Sequence, residues 1–222
     1  MGRSLQLTTL LRFGDFHGVV AFETSMPRPW PYAEALRHYA NGSALASIGR
    51  HADATAAYEQ LIAAAANASA SFAPLIKVAR LSLLASLQAN AGVGAAGVLS
   101  ALQSLRAAVD EQTSWVYDEP PKFHMPMRQC LGRLLLRADA AEQAQVIFEA
   151  DLKQFPANAY SLWGLRQSML RQPDRYTKAQ AERVREQMDV AWAAADGPLS
   201  TSCAAFDPPD PCRFSRTLVS CA

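Results

Sequence analysis

A chain of 222 residues, half of them apolar, with a formal net charge of +1, has room for one or two ordinary domains and is too near neutrality for a strong electrostatic field. Nucleic-acid binding leaves a clustered Lys/Arg footprint. The candidate cluster here, Arg183 and Arg185, is interleaved with Glu182 and Glu186, so no nucleic-acid partner is expected. Alanine dominates the composition and has the highest helix propensity. No segment alternates in the manner of a half-buried strand, so the chain is predicted to be all-α.

In chain order, residues 3–22 read as two short helices around a turn at Gly14-Asp15, a partial hairpin. Arg12, Asp15 and His17 interrupt the first apolar run, which is therefore too short and polar for a signal peptide or a membrane span. A Pro-rich stretch, Met26 to Pro31, ends this unit. Residues 33–66 form the next predicted hairpin, turning at Gly49-Arg50, and residues 73–112 a third, turning at Ala91 to Gly94. Residues 113–126, with Glu119-Pro120-Pro121 at their centre, interrupt the series. Their aromatic residues Trp115, Tyr117 and Phe123 are expected to anchor the loop.

The clearest unit is 125–156. Leu131, Leu134, Leu135 and Ala138 share one helical face. Ala144, Ile147, Phe148, Asp151 and Leu152 share another, and Pro156 ends the second helix. Gly132 and Ala144 mark a close approach of the two helices, with Phe148 filling the gap beside them. The spacing of Gly42, Ala54 and Tyr58 repeats that of Gly132, Ala144 and Phe148, an internal-repeat signal. A last pair, 158–195, presents Gln180, Arg183, Glu186 and Gln187 as a polar outer face suited to a cap. Residues 197–222, rich in Ser, Pro and Cys without periodicity, are expected to be a disordered tail whose deletion hardly changes stability.

Leu131, Gly132, Ala144, Phe148 and Pro156 resemble the pattern of a tetratricopeptide repeat, with Arg128 where the family carries an aromatic residue. The resemblance implies a right-handed superhelical stack of antiparallel helix hairpins over residues 1–196, and the arrangement is similar to the C-terminal half of longer repeat proteins of that superfamily. It also implies a non-enzymatic scaffold that binds a protein or peptide in a concave groove. If that geometry holds, Tyr39 and Ser43, Gln129 and Arg133, and Trp163 and Gln167 line the groove. Each pair is four residues apart and so shares a helical face. Two other readings stay open: an accessory region of a longer enzyme whose catalytic part lies upstream, and a self-association module. The start of the chain within a half-repeat motivates both. The many apolar residues of 3–22 predict an exposed patch and self-association through that end.

Catalytic signatures are missing from the sequence: it has no GxSxG, no Walker A, no HExxH and no Gly-rich dinucleotide turn. His124, Met125, Met127 and Cys130 carry soft donors that could hold Cu(I), but Pro126 breaks their spacing and they read as packing residues. Asp118 and Glu119 are adjacent and do not converge as an acid–base pair. No metal or cofactor, no membrane partner and no enzymatic activity are expected. The cysteines, Cys130, Cys203, Cys212 and Cys221, match neither a disulfide framework nor a zinc knuckle, and read as reduced thiols of a cytoplasmic protein.

Overall fold

The computed structural model describes residues 2–22, 30–90, 94–116, 118–119 and 121–207. Helix accounts for 75% of it, and no strand occurs among the described residues. The helices are α1 (Gly2–Phe13), α2 (Phe16–Ala21), α3 (Pro31–Ser47), α4 (His51–Ala66), α5 (Ala73–Asn90), α6 (Gly94–Thr113), α7 (Met127–Arg137), α8 (Ala141–Gln154), α9 (Ala159–Leu170) and α10 (Lys178–Ala191). Single 3-10 turns lie at Ala70–Phe72 and Ala204–Phe206. Consecutive helices pack as the pairs α3 with α4, α5 with α6, α7 with α8 and α9 with α10, and each pair touches the next through α5, α7 or α9.

Three of the turns are built alike. Gly14, Gly49 and Asp139 each take a positive φ, of 79°, 83° and 57°. The following N–H in each case donates to a carbonyl five residues back: Asp15 to Leu10, Arg50 to Leu45 and Ala140 to Leu135, all at 2.9 Å. This is a left-handed helix C-terminus with its long-range capping bond. It reverses the chain within three residues and sets the next helix against the last. Gly49 stands seven residues after Gly42, and Asp139 seven after Gly132, so the two hairpins share turn as well as seam. Elsewhere capping follows local chemistry. Pro31 opens α3, Asn158 accepts from the N–H groups of Tyr160 and Ser161, and Thr177 with Gln180 forms a capping box on α10.

Packing at the seams depends on glycine. A side chain at Gly132 would stand closer than 3.0 Å to the Phe148 ring, and so would one at Gly164 on α9. Phe148 is fully buried between them. Gly132 thus opposes the Phe148 ring, and the same ring also meets the following pair. In the earlier hairpin Gly42 opposes Leu83 of α5, while Tyr58 is only partly buried. The core runs on through Tyr39, Ala44, Val78, Leu83, Leu105, Met127, Leu131, Leu134 and Leu135. Each fully buried large apolar side chain in it contributes about 1.5–3 kcal/mol. Residues 70–90 are long and apolar enough to cross a membrane, and their Ile76, Val78, Ala79, Leu83 and Ala85 are buried against neighbouring helices.

Two expectations are corrected. Residues 201–207 are not a disordered tail: all seven are buried, and the segment packs on α1, α3, α5 and α7. Residues 208–222, and with them Cys212 and Cys221, lie outside the described residues. Nor are all the cysteines reduced thiols, because Cys130 of α7 and Cys203 form a disulfide. The sequence signal failed because the two cysteines are 73 residues apart and belong to elements of different kinds. The same bond removes Cys130 from the sulfur-donor set.

The N-terminal helices do not merely cover one end. α1 packs on α3 and on the Ala204–Phe206 turn, and Arg12 in its last turn reaches the Tyr160 ring of α9. Leu7, Leu11 and Val19 are buried, Leu10, Phe16, Val20 and Phe22 are partly buried against the core, and Phe13 is 54% exposed.

Candidate functional site

The residues expected to line a groove are for the most part covered. Tyr39, Ser43 and Gln129 are buried, and Arg133, Trp163 and Gln167 are half-buried. Arg133 and Trp163 do come together, with the guanidinium carbon 5.9 Å from the ring centroid. What covers this face is the chain itself.

The segment 201–207 is a compact plug. Thr201 Oγ1 donates to Asp207 Oδ1 at 2.9 Å and accepts from the Cys203 N–H at 3.1 Å, which closes the segment on itself. Four attachments fasten it to α3 and α7. Ser202 Oγ donates to the Gln129 carbonyl at 3.1 Å. Ser47 Oγ, which donates to the Ser43 carbonyl, also approaches the Ala205 carbonyl at 3.4 Å. Arg133 Nε pairs with Asp207 Oδ1, and Arg137 Nη1 donates to the Phe206 carbonyl at 2.9 Å. The Cys130–Cys203 bond adds a covalent tie, and the Phe206 side chain is fully buried. Burial, reinforced by the neighbouring Arg133 charge, pulls the Arg137 pKa below its ordinary value, and Asp207 opposes that pull. Two arginines side by side on α7 therefore favour a carboxylate in the position Asp207 holds.

Beside the plug lies a second buried polar group, on the helical stripe of α8. Asp151 of α8 is fully buried and accepts from Ser161 Oγ at 2.5 Å and from Gln129 Nε2 at 3.2 Å. Burial raises its pKa, and the hydrogen bonds from Ser161 and Gln129 partly oppose that rise. Its Oδ1 and the Gln129 Oε1 have no hydrogen-bond partner. Arg12 is half-buried with its guanidinium carbon 3.9 Å from the Tyr160 ring centroid and its Nη1 buried, and desolvation lowers its pKa while Tyr160 and Asp151 hold it up. His124 is enclosed with both ring nitrogens unpartnered, and burial, aided by the Arg12 charge, depresses its pKa to about 3. Burial also raises the Tyr39 hydroxyl, which Ser82 and Arg12 counter.

Asp151 did carry a sequence signal, since a carboxylate stands inside an otherwise apolar helical stripe. Arg12, breaking the apolar run of α1, is a signal of the same kind. Nothing local marked Ser202, Cys203 or Asp207 as partners of α7. Among the described residues no group of three or more His, Cys, Asp and Glu side chains is placed to hold a metal ion. Comparison with protein-family models, with curated proteins and with solved structures finds no match to this chain.

Proposed function

We propose that the chain is a non-enzymatic interaction scaffold of tetratricopeptide-like hairpins whose inner face receives a short protein segment. The observation that carries this reading is the plug: residues 201–207 lie against α1, α3, α5 and α7, and the fold offers them hydrogen bonds, an ion pair and an apolar slot. A face that holds a segment of its own chain in this way has the chemistry to hold a similar segment of another protein. The preferred ligand carries an aromatic residue followed by a carboxylate, as Phe206 and Asp207 do. The identical turns at Gly14, Gly49 and Asp139 support the repeat reading of the hairpins. The disulfide fits a chain that meets oxidising conditions better than a cytoplasmic one.

The test uses the full chain with Cys203→Ser and Phe206→Ala, which loosens the plug, and a fluorescein-labelled peptide of residues 199–207 carrying Ser at 203. Saturable anisotropy is expected with the loosened chain, with loss of binding when Arg133→Ala is added. No binding in either chain would sink the reading.

A further inference from the structure

A cavity of about 300 Å³ opens beside Arg12, away from the plug. Its walls come from α6, from the loop residues Phe123 to Met125, and from the corner between α8 and α9. It lies at the small end of the range for ligand sites, about 300–1,000 Å³. Trp115, Phe123, Val109 and Phe155 give it apolar walls. Of the polar residues that line it, Arg12 and His124 carry buried nitrogens without a hydrogen-bond partner.

Arg12 is the informative one. No carboxylate lies within ion-pair distance of it among the described residues, and its Nη1 has no hydrogen-bond partner. The Tyr160 ring, 3.9 Å from the guanidinium carbon, holds the group from one side, and Tyr160 is also its side-chain hydrogen-bond partner. Asp151 compensates the charge only at longer range. A buried guanidinium donor left unused is costly unless an acceptor meets it. Its planar fork matches a carboxylate. Both ring nitrogens of neutral His124 also lack partners, so this residue offers a second polar contact that carries no charge, while Lys122 and Asp118 in the lining pair with each other at 3.9 Å. At the mouth, Arg128 is already committed, donating to Gln154 Oε1 at 2.8 Å and to Thr113 Oγ1 at 2.9 Å. Gln112 fixes the loop by bonding the Met125 carbonyl and the Met127 N–H, so the walls are preformed. One guanidinium with an unused Nη1 donor, apolar aromatic walls and little volume together favour a monoanion with an apolar body.

We propose that this cavity binds a small carboxylic acid, its carboxylate on Arg12 and its apolar body against Trp115, Phe123 and Val109. The site is separate from the peptide face and stands whether or not that face accepts a partner.

Phenylacetate, its uncharged analogue phenylacetamide and inorganic phosphate are the probes, each followed by saturation-transfer NMR and calorimetry on the full chain. Phenylacetate is expected to bind saturably, and phenylacetamide at least about tenfold more weakly, the equivalent of one charged hydrogen bond. Arg12→Gln should produce a similar loss. Val109→Phe, which fills the cavity and leaves the arginine in place, should abolish binding, so the proposal stays testable if Arg12→Gln folds poorly. Equal binding of phenylacetamide, equal binding of phosphate, unchanged binding in Val109→Phe or the lack of any saturable phenylacetate signal would overturn it.

Discussion

The Phe148 ring occupies the space that a side chain at Gly132 would need, and Gly164 faces the same ring from the next pair. One aromatic side chain therefore joins α7, α8 and α9. Because the ring is held on both sides, it cannot swing away from an added methyl group. Gly132→Ala and Gly164→Ala should each destabilise the fold by about 1–3 kcal/mol through overpacking. Phe148→Ala should cost more, about 3–5 kcal/mol. Urea titrations measure all three, and Gly132→Ala with Phe148→Leu should cost less than the sum of the single changes. Additive losses would mean that the two residues do not share the seam.

The tail should prove structural. Cys203→Ser removes a cross-link between residues 73 apart in sequence, and such losses are typically about 2–4 kcal/mol. Truncation after Ser200 should cost more, because it also uncovers the slot of the fully buried Phe206. Thermal unfolding with and without a dithiol reductant separates the two contributions. A truncated chain that melts with the intact one would place residues 201–207 outside the fold.

Burial separates two ion pairs of similar chemistry. The side chains of Arg133 and Asp207 are 14% and 10% exposed, whereas those of Arg175 and Glu142 are 52% and 73% exposed. Asp207→Asn leaves Arg133 shielded without its partner and should cost about 3 kcal/mol, near the lower end for a broken buried pair. Glu142→Gln should change stability by less than about 1 kcal/mol. Chemical denaturation of the two variants, side by side, gives the comparison, and equal effects would contradict it.

Acid should weaken the fold through His124. Its folded pKa lies at about 3, below its ordinary value of 6.5. As pH falls below 6.5 the unfolded chain takes up a proton that the folded chain refuses. Stability then drops by at most about 1.4 kcal/mol per pH unit until pH approaches 3. Asp151 works the other way, since its raised pKa means that protonation relieves the folded state as pH falls through that value. His124→Phe removes the first contribution and keeps the ring in place. The variant should lose less stability than the parent between pH 6.5 and pH 4.5, and parallel curves would exclude His124 as the origin.

Helices and turns were legible because their causes are local. Gly14 and Gly49 act within a few residues of where they stand. Asp139 shows the limit, for it fills the position of Gly49 in a left-handed conformation that its residue type does not require. The residues expected to line a groove were legible as helix faces only. Periodicity marks Gln129 and Arg133 as neighbours but does not say whether that face meets water, a partner or the chain's own end. The plug was illegible for a related reason. Residues 201–207 are too few and too irregular for a periodic stripe, and each of their partners is remote in sequence. Four cysteines alone allow three pairings, and spacing did not choose among them.

The Cys130–Cys203 bond also fixes how the molecule would respond to tension. It encloses α8, α9, α10 and most of α7 in a covalent ring, so a pull on the two ends bypasses everything between the cysteines. The load passes from Cys130 straight to Cys203. Even after unfolding, the 73-residue span adds nothing to the extension while the bond holds. A reductant would release it, lengthening the stretched chain by about 250 Å at roughly 3.4 Å per residue.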